Sequence, residues 1–156
     1  MSGENDFFKL NNGEACPHQQ NLNKVVSATF EKMGFMEAFS CENRDDSTQT
    51  LCATLNIKEP ILAEMYFSCP HKLAWHIAEN LYGLDELSVE VVHDMMTELL
   101  NTISGSWLSE IIPNQRFSLS IPESCDDMFH IYKEMYEYHY NIENSGVITV
   151  GLKDCS

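Results

Sequence analysis

The chain has few basic residues. Nine Lys and Arg residues stand against 24 Asp and Glu, so its 156 residues carry a formal net charge of −15 at pH 7. Binding to the phosphates of nucleic acid, or to the surface of an anionic membrane, depends on clustered positive charge. The scarcity of such charge argues against both classes of partner.

Long apolar runs are also missing. A membrane-spanning helix needs roughly 20 consecutive apolar residues, and no uninterrupted run in the chain approaches that length. The N-terminal stretch MSGENDFFKLNNGEACPHQQ has neither a basic leader nor an apolar segment of the kind found in signal peptides. We therefore expect a soluble, cytoplasmic protein.

Cysteine pairs with metal-ligand or redox spacing are absent as well. None of the six cysteines forms a CxxC pair, and a chain of this size does not need disulfides, so reduced thiols are expected. Cys-Pro-His occurs twice, at Cys16 to His18 and Cys69 to His71, and thiol with imidazole suits soft metals. The second copy is typical of a helix start and the first lies in a segment without periodicity. We predict no metal site, which makes a redox or metal sensor the weakest functional hypothesis.

What the chain does have is enough apolar material for one core, since 44% of its residues are hydrophobic. Residues 1–18 are polar and lack sustained periodicity, so we interpret them as an N-terminal tail and residues 19–156 as a single domain. A helical period predicts an amphipathic helix from Leu22 to Phe39, and the polar run from Cys41 to Gln49 predicts a loop.

The hydrophobic period then changes from 3.6 to 2. The segments Leu51 to Ile57 and Ile61 to Phe67 alternate apolar and polar residues, which predicts a β-hairpin. A second helix is predicted from His71 to Tyr82, because the helical period returns there and Gly83 is a common residue just beyond a helix end.

Three more strands are predicted near the C-terminus, while residues 123–134 show no clear pattern. These strands are Phe117 to Ile121, which Pro122 ends, Tyr136 to Ile142, and Ile148 to Leu152. The predicted order of one helix, two strands, two helices and three strands indicates an α+β sandwich. Its sheet is expected to be largely antiparallel and covered by helices.

The longest helical pattern runs from Leu87 to Ile112, with Ser88 as its predicted N-cap. One face of this helix is apolar. The other carries a set of polar or small residues at steps of four, three and four, which places them in line along the helix. We call this set the polar stripe; its members are Asp94, Glu98, Asn101 and Gly105.

A polar helix face is most often only solvated, but three features of the polar stripe favour a partner. Asn101 lies in mid-helix although asparagine favours caps and turns. Gly105 costs about 1 kcal/mol relative to alanine in a helix interior. The stripe also lacks the acid-before-lysine pairs that stabilise exposed helices. A molecule that approaches this face closely would explain all three.

The segment DMMTELLNTISG, from Asp94 to Gly105, resembles the signature of the CheC, CheX and FliY phosphatases of bacterial chemotaxis. Its ExxN-x-I-x-G form resembles CheX most. In that family an Asp or Ser is followed by Glu four residues on, by Asn three further on, and by a proline downstream. Here Pro122 stands 21 residues after Asn101, slightly short of the family's spacing. A looser resemblance covers most of the chain.

This resemblance implies a CheX-like fold and hydrolysis of the aspartyl phosphate of a CheY-type receiver domain. Asn101 would orient the attacking water, and Glu98 would pair with the lysine that receivers place at their phosphorylated aspartate. Gly105 would give clearance for the receiver's backbone. Asp94 would support the site, although a plain solvated acid explains that residue equally well.

The resemblance also implies a homodimer, no cofactor or metal of the chain's own, and Mg²⁺ held by the receiver. One site per chain is expected, because Ser27, Glu31 and Gly34 repeat the spacing in the first helix with glycine in place of asparagine. The alternative hypothesis is a non-catalytic module of the same fold that docks a signalling protein.

Overall fold

The computed structural model describes residues 18–34, 36–42, 49–125 and 135–155. Residues 1–17 of the predicted tail lie outside these ranges. A short 3-10 turn, Leu84–Glu86, connects the second helix to the third. The helices and strands are α1 (Gln19–Gly34), β1 (Ala38–Cys41), β2 (Thr50–Glu59), β3 (Ala63–Pro70), α2 (His71–Tyr82), α3 (Val89–Ile111), β4 (Ser118–Leu119), β5 (Glu123–Cys125), β6 (Tyr136–Ile142) and β7 (Val147–Asp154).

The described strands form one antiparallel sheet in the order β1-β6-β7-β3-β2-β4, with β5 also paired to β2. Alternate residues of the central strands, such as Leu55, Phe67 and Val150, are buried on one face together with the apolar sides of the three helices. The helices therefore cover one face of the sheet. The predicted α+β architecture is confirmed.

The hairpin predicted around Lys58 to Pro60 is confirmed, since β2 and β3 pair in register from Thr50↔Pro70 to Ile57↔Ala63. Helix α2 has the predicted bounds. The C-terminal hairpin of β6 and β7 is also confirmed, with Tyr138 and Tyr140 buried against the helices. These elements have strong local periodicity, which explains why the sequence predicts them.

The end of the first helix was wrongly predicted. Helix α1 ends at Gly34, and Ala38 and Phe39 belong to β1, which pairs with β6 from Ala38↔Ile142 to Cys41↔His139. Strand β1 contains only four residues, too few to show alternation. Its partner lies about 100 residues away in the chain, so only the folded sheet defines it. The rest of the predicted loop, residues 43–48, lies outside the described residues.

The predicted strand from Phe117 to Ile121 is shorter than expected, and a second short strand, β5, follows Pro122. Both strands pair with β2. The pairing of β5 brings Cys125 opposite Cys52, and the two form a disulfide. The expectation of reduced thiols is therefore wrong for this pair, because spacing along the chain does not show which strands become neighbours.

No helix within the described residues is both long enough and apolar enough to cross a membrane.

Candidate functional site

Helix α3 carries the polar stripe and is fixed from several sides. It packs against α1 and α2 and lies over strand β2. Its N-terminus is capped as predicted, because the Ser88 hydroxyl accepts a hydrogen bond from the backbone N–H of Val91 at 3.2 Å. The buried face of the helix comprises Val92, Met95, Met96, Leu99, Leu100, Ile103, Ser104, Trp107 and Leu108. The opposite face is therefore held pointing outward.

All four residues of the polar stripe lie on that outward face. Asp94, Glu98 and Asn101 are exposed, and Gly105 is half-buried. At 3.6 residues per turn they fall within an arc of about 60° and extend about 16 Å along the helix. The structure thus brings together the residues that the sequence groups by spacing.

The Asn101 amide is available to a ligand or a partner. Within the described part of the chain it has no hydrogen-bond partner, although an amide offers both a donor and an acceptor. One turn further on, a Cβ added at Gly105 would meet no atom within 4 Å. Among the residues that the structure describes, none requires glycine at that position.

Sequence reasoning missed one residue of the site, Tyr82. It is the last residue of α2, and its hydroxyl donates a hydrogen bond to Glu98 Oε2 at 3.4 Å. Burial raises the pKa of the Tyr82 phenol above its ordinary value, and the neighbouring Glu98 carboxylate raises it further. The only sequence signal was the position of Tyr82 beside the helix-ending Gly83, and this does not indicate which side chain it meets.

The charge of the site is negative. Helix α3 contains no Lys or Arg, and Asp94 and Glu98 lie on its exposed face. Asp94 belongs to the same electrostatic environment as Tyr82, because its charge also contributes, less than burial and Glu98, to raising the Tyr82 pKa. The described ion pair on this helix, Glu110 with Lys24 at 2.7 Å, is three turns beyond Glu98. The polar stripe is therefore suited to a partner that brings a cationic group.

The face of α1 that repeats the spacing of the polar stripe carries different side chains. Ser27 and Glu31 are exposed, and the position of the asparagine is taken by Gly34, where the helix ends. A cavity of about 450 Å³ lies between α1 and β1; its lining includes Ser27, Glu31, Met36, Glu37, Ala38 and Phe39. This face has carboxylates but no amide equivalent to Asn101.

No group of three or more His, Cys, Asp or Glu side chains arranged to hold a metal ion occurs among the described residues. Of the two Cys-Pro-His segments, Cys16 lies outside the described ranges. In the other, Cys69 is buried in the core, whereas His71 is exposed and its Nε2 accepts a hydrogen bond from Trp75 Nε1.

Comparison with known protein families identifies a matching family. The model of the family described as "Chemotaxis phosphatase CheX" matches residues 51–142, which is more than half of the chain. The matched region contains the hairpin, α2 and the whole polar stripe. No curated protein sequence matches the chain significantly.

Similar solved structures include the chemotaxis protein CheX from Vibrio vulnificus, with a TM-score of 0.72 and 13% identity over 87% of this chain and 95% of that one. CheX in a CheX–CheY–BeF₃–Mg²⁺ complex from Borrelia burgdorferi gives 0.70 and 13%, over 89% and 98% of the two chains. FliY from Thermotoga maritima gives 0.61 and 14%, over 94% and 92%. At such low identities these likenesses establish the fold.

Proposed function

The chain belongs to the family of the chemotaxis phosphatase CheX, and on this premise we propose that it hydrolyses the aspartyl phosphate of a CheY-type receiver domain. One observation carries the proposal. Glu98 and Asn101 lie one turn apart on the outward face of a rigidly packed helix, and the Asn101 amide has no partner among the described residues. An amide in that position can bind a water molecule and the substrate together.

The chemistry requires little more than a positioned water. Phosphoryl transfer from an acyl phosphate proceeds in line through a loose transition state, so positioning contributes more than a strong base. In the proposed reaction, a water held by Asn101 attacks the phosphorus as the bond to the aspartate oxygen breaks. The aspartate leaves as a carboxylate, and the two protons of the attacking water stay on the inorganic phosphate. A hundredfold acceleration needs only about 2.7 kcal/mol.

Glu98 has a separate role in this proposal. Its carboxylate pairs with the lysine of the receiver's phosphorylation site and so orients the two proteins. The Borrelia burgdorferi relative supports a partner of this kind, because its structure is that of a CheX–CheY complex with BeF₃ and Mg²⁺. We assign Mg²⁺ to the receiver and no cofactor to this chain.

Two further properties are part of the proposal by analogy with the family. We place the protein in the cytoplasm, where receiver domains act, and we propose that it is a homodimer. Sedimentation of the purified protein tests the dimer directly, and a monomer over the whole accessible concentration range would contradict it.

The proposed activity is tested by phosphate release from a panel of phosphorylated receivers. The native protein is expected to accelerate release from at least one receiver, and Asn101→Ala should return the rate to that of the receiver alone, a loss of about 100-fold or 2.7 kcal/mol. Asn114→Ala is the matched control, because Asn114 is also exposed but lies in the turn after α3. Binding without acceleration by the native protein would instead favour the non-catalytic docking module.

A further inference from the structure

We propose that Tyr82 is a positioning residue of the site: its hydroxyl holds one oxygen of the Glu98 carboxylate and leaves the other directed at the cationic group of the partner. This inference rests on the proposed function and deepens it, because it adds a residue from a different helix to the Glu98–Asn101 pair.

The geometry that supports the role begins at the end of α2. Tyr82 is the last helical residue, and the chain turns away immediately afterwards through Gly83, whose φ of 82° is a conformation that L side chains rarely adopt. The turn leaves Tyr82 at the edge of α2 facing α3. Its hydroxyl reaches Glu98 Oε2 at 3.4 Å, across 16 residues of sequence.

The phenol supplies a hydrogen-bond donor that restricts the Glu98 side chain. A glutamate on an exposed helix face samples several rotamers, and fixing a side chain of this type costs up to about 1.5–2 kcal/mol of conformational entropy. No other described side chain donates a hydrogen bond to the Glu98 carboxylate. A donor from a neighbouring helix restricts the carboxylate before the partner arrives, and such preorganisation improves affinity.

The protonation state suits this role. Burial and the Glu98 charge both raise the pKa of Tyr82, so the phenol remains protonated, and therefore remains a donor, beyond the ordinary tyrosine range. Asp94 adds a further negative charge near the hydroxyl. A protonated phenol can approach these two carboxylates without repulsion, whereas a third ionised carboxylate would be repelled.

The test compares Tyr82→Phe with the native protein. The substitution keeps the ring and removes only the donor, so KM for the phosphorylated receiver should rise about three- to tenfold while kcat changes little, as expected when an interaction is made equally in the ground state and the transition state. In a Glu98→Gln background the same substitution should have no additional effect on KM. Tyr66→Phe is the matched control, because Tyr66 also donates to a glutamate, Glu64, but belongs to the separate cluster around Cys52 rather than to the helix-covered core.

A second readout does not depend on phosphatase activity. When the tyrosines carry a ¹³C label at Cζ, NMR titration should show Tyr82 ionising above the ordinary tyrosine range, and Glu98→Gln should lower its pKa towards that range. An unchanged Tyr82 pKa in that variant would overturn the contact and with it the positioning role.

The two proposals fail in different ways. An active native protein whose KM is unaffected by Tyr82→Phe overturns the positioning role alone. A native protein that neither binds nor dephosphorylates any receiver overturns the proposed function and the positioning role together. A loss of folding in Tyr82→Phe would appear as a changed circular dichroism spectrum, and the Glu98→Gln titration would then decide the outcome.

Discussion

At the scale of single residues, two positions of the polar stripe carry residue types that do not favour a helix. Asn101 and Gly105 are unfavourable choices for a helix interior, yet both lie inside α3, and neither has an intramolecular role toward the described part of the chain. Residues that weaken an element without serving its packing are typical of a functional surface. This contrast is the reason why the sequence predicts a site on this face of α3.

Gly105 provides a prediction in which stability and binding move in opposite directions. Because a Cβ at this position meets no atom within 4 Å, Gly105→Ala should raise the free energy of unfolding by about 1 kcal/mol. If the partner approaches the helix here, the same methyl group should weaken binding of a BeF₃-activated receiver about fivefold or more, equivalent to roughly 1 kcal/mol.

Urea denaturation and a binding titration measure the two effects. Ser106→Ala is the matched control, since Ser106 is exposed on the same helix but lies outside the polar stripe; its binding should equal that of the native protein. Unaltered affinity in Gly105→Ala would show that the partner does not contact this part of α3.

The sequence predicts Glu98 as a site residue, but it does not predict the contact of Glu98 with Tyr82. The motif fixes only the positions within one helix. The hydrogen bond between Tyr82 and Glu98 depends on how α2 packs beside α3, and no periodicity along the chain contains that information.

At the scale of the helices and strands, capping of α3 is a feature that the sequence predicts well. Ser88→Ala removes the acceptor for the Val91 N–H and should lower the free energy of unfolding by about 1 kcal/mol, whereas Ser88→Gly should cost only a few tenths. Urea denaturation of both variants measures the difference. Because neither variant keeps the hydroxyl, losses of equal size would show that the backbone preference at the cap contributes nothing, and no loss in either variant would show that the hydroxyl contributes nothing.

The Ser88→Ala substitution should lower stability without changing turnover. Ser88 precedes the helix and lies ten residues before Glu98, so turnover by the folded Ser88→Ala protein should match that of the native protein. A large loss of turnover would indicate that the start of α3 itself contacts the partner.

Strand prediction from the sequence succeeds or fails according to strand length. Strands β2, β3, β6 and β7 contain seven to ten residues each, which is long enough for apolar residues to recur at every second position. Strands β1 and β5 contain four and three residues and exist because a neighbouring strand offers free backbone groups. The Cys52–Cys125 disulfide was missed for the same reason, since it depends on the pairing of β5 with β2.

At the scale of the whole molecule, the net charge of −15 conflicts with the proposed partner. The phosphorylation pocket of a receiver is itself acidic, so the two proteins should repel each other over long distances, and this slows association when salt is low. The contact of Glu98 with a lysine acts only at short range.

The conflict leads to a prediction about salt. Affinity for a BeF₃-activated receiver should stay constant or increase as ionic strength rises to about 0.15 M, where the Debye length is about 8 Å. Calorimetric titration at several salt concentrations measures this, with a non-coordinating salt so that Mg²⁺ binding is unaffected. Strong weakening by salt would show instead that attraction between opposite charges dominates the complex.

The order of the strands in the sheet divides the chain into a part that can fold early during synthesis and a part that must fold later. Strands β2 and β3, helices α2 and α3, and strand β4 come from one continuous stretch, residues 50–119, whereas β1 must wait for β6, about 100 residues further along. On the ribosome, the helix with the polar stripe and its immediate supports can therefore assemble from short-range contacts while the C-terminal hairpin is still untranslated. Strand β1 can dock only on the completed β6–β7 hairpin. Because β7 pairs with β3 in the middle of the sheet, errors of synthesis or folding near the C-terminal end of the chain should remove the support for β1 as well.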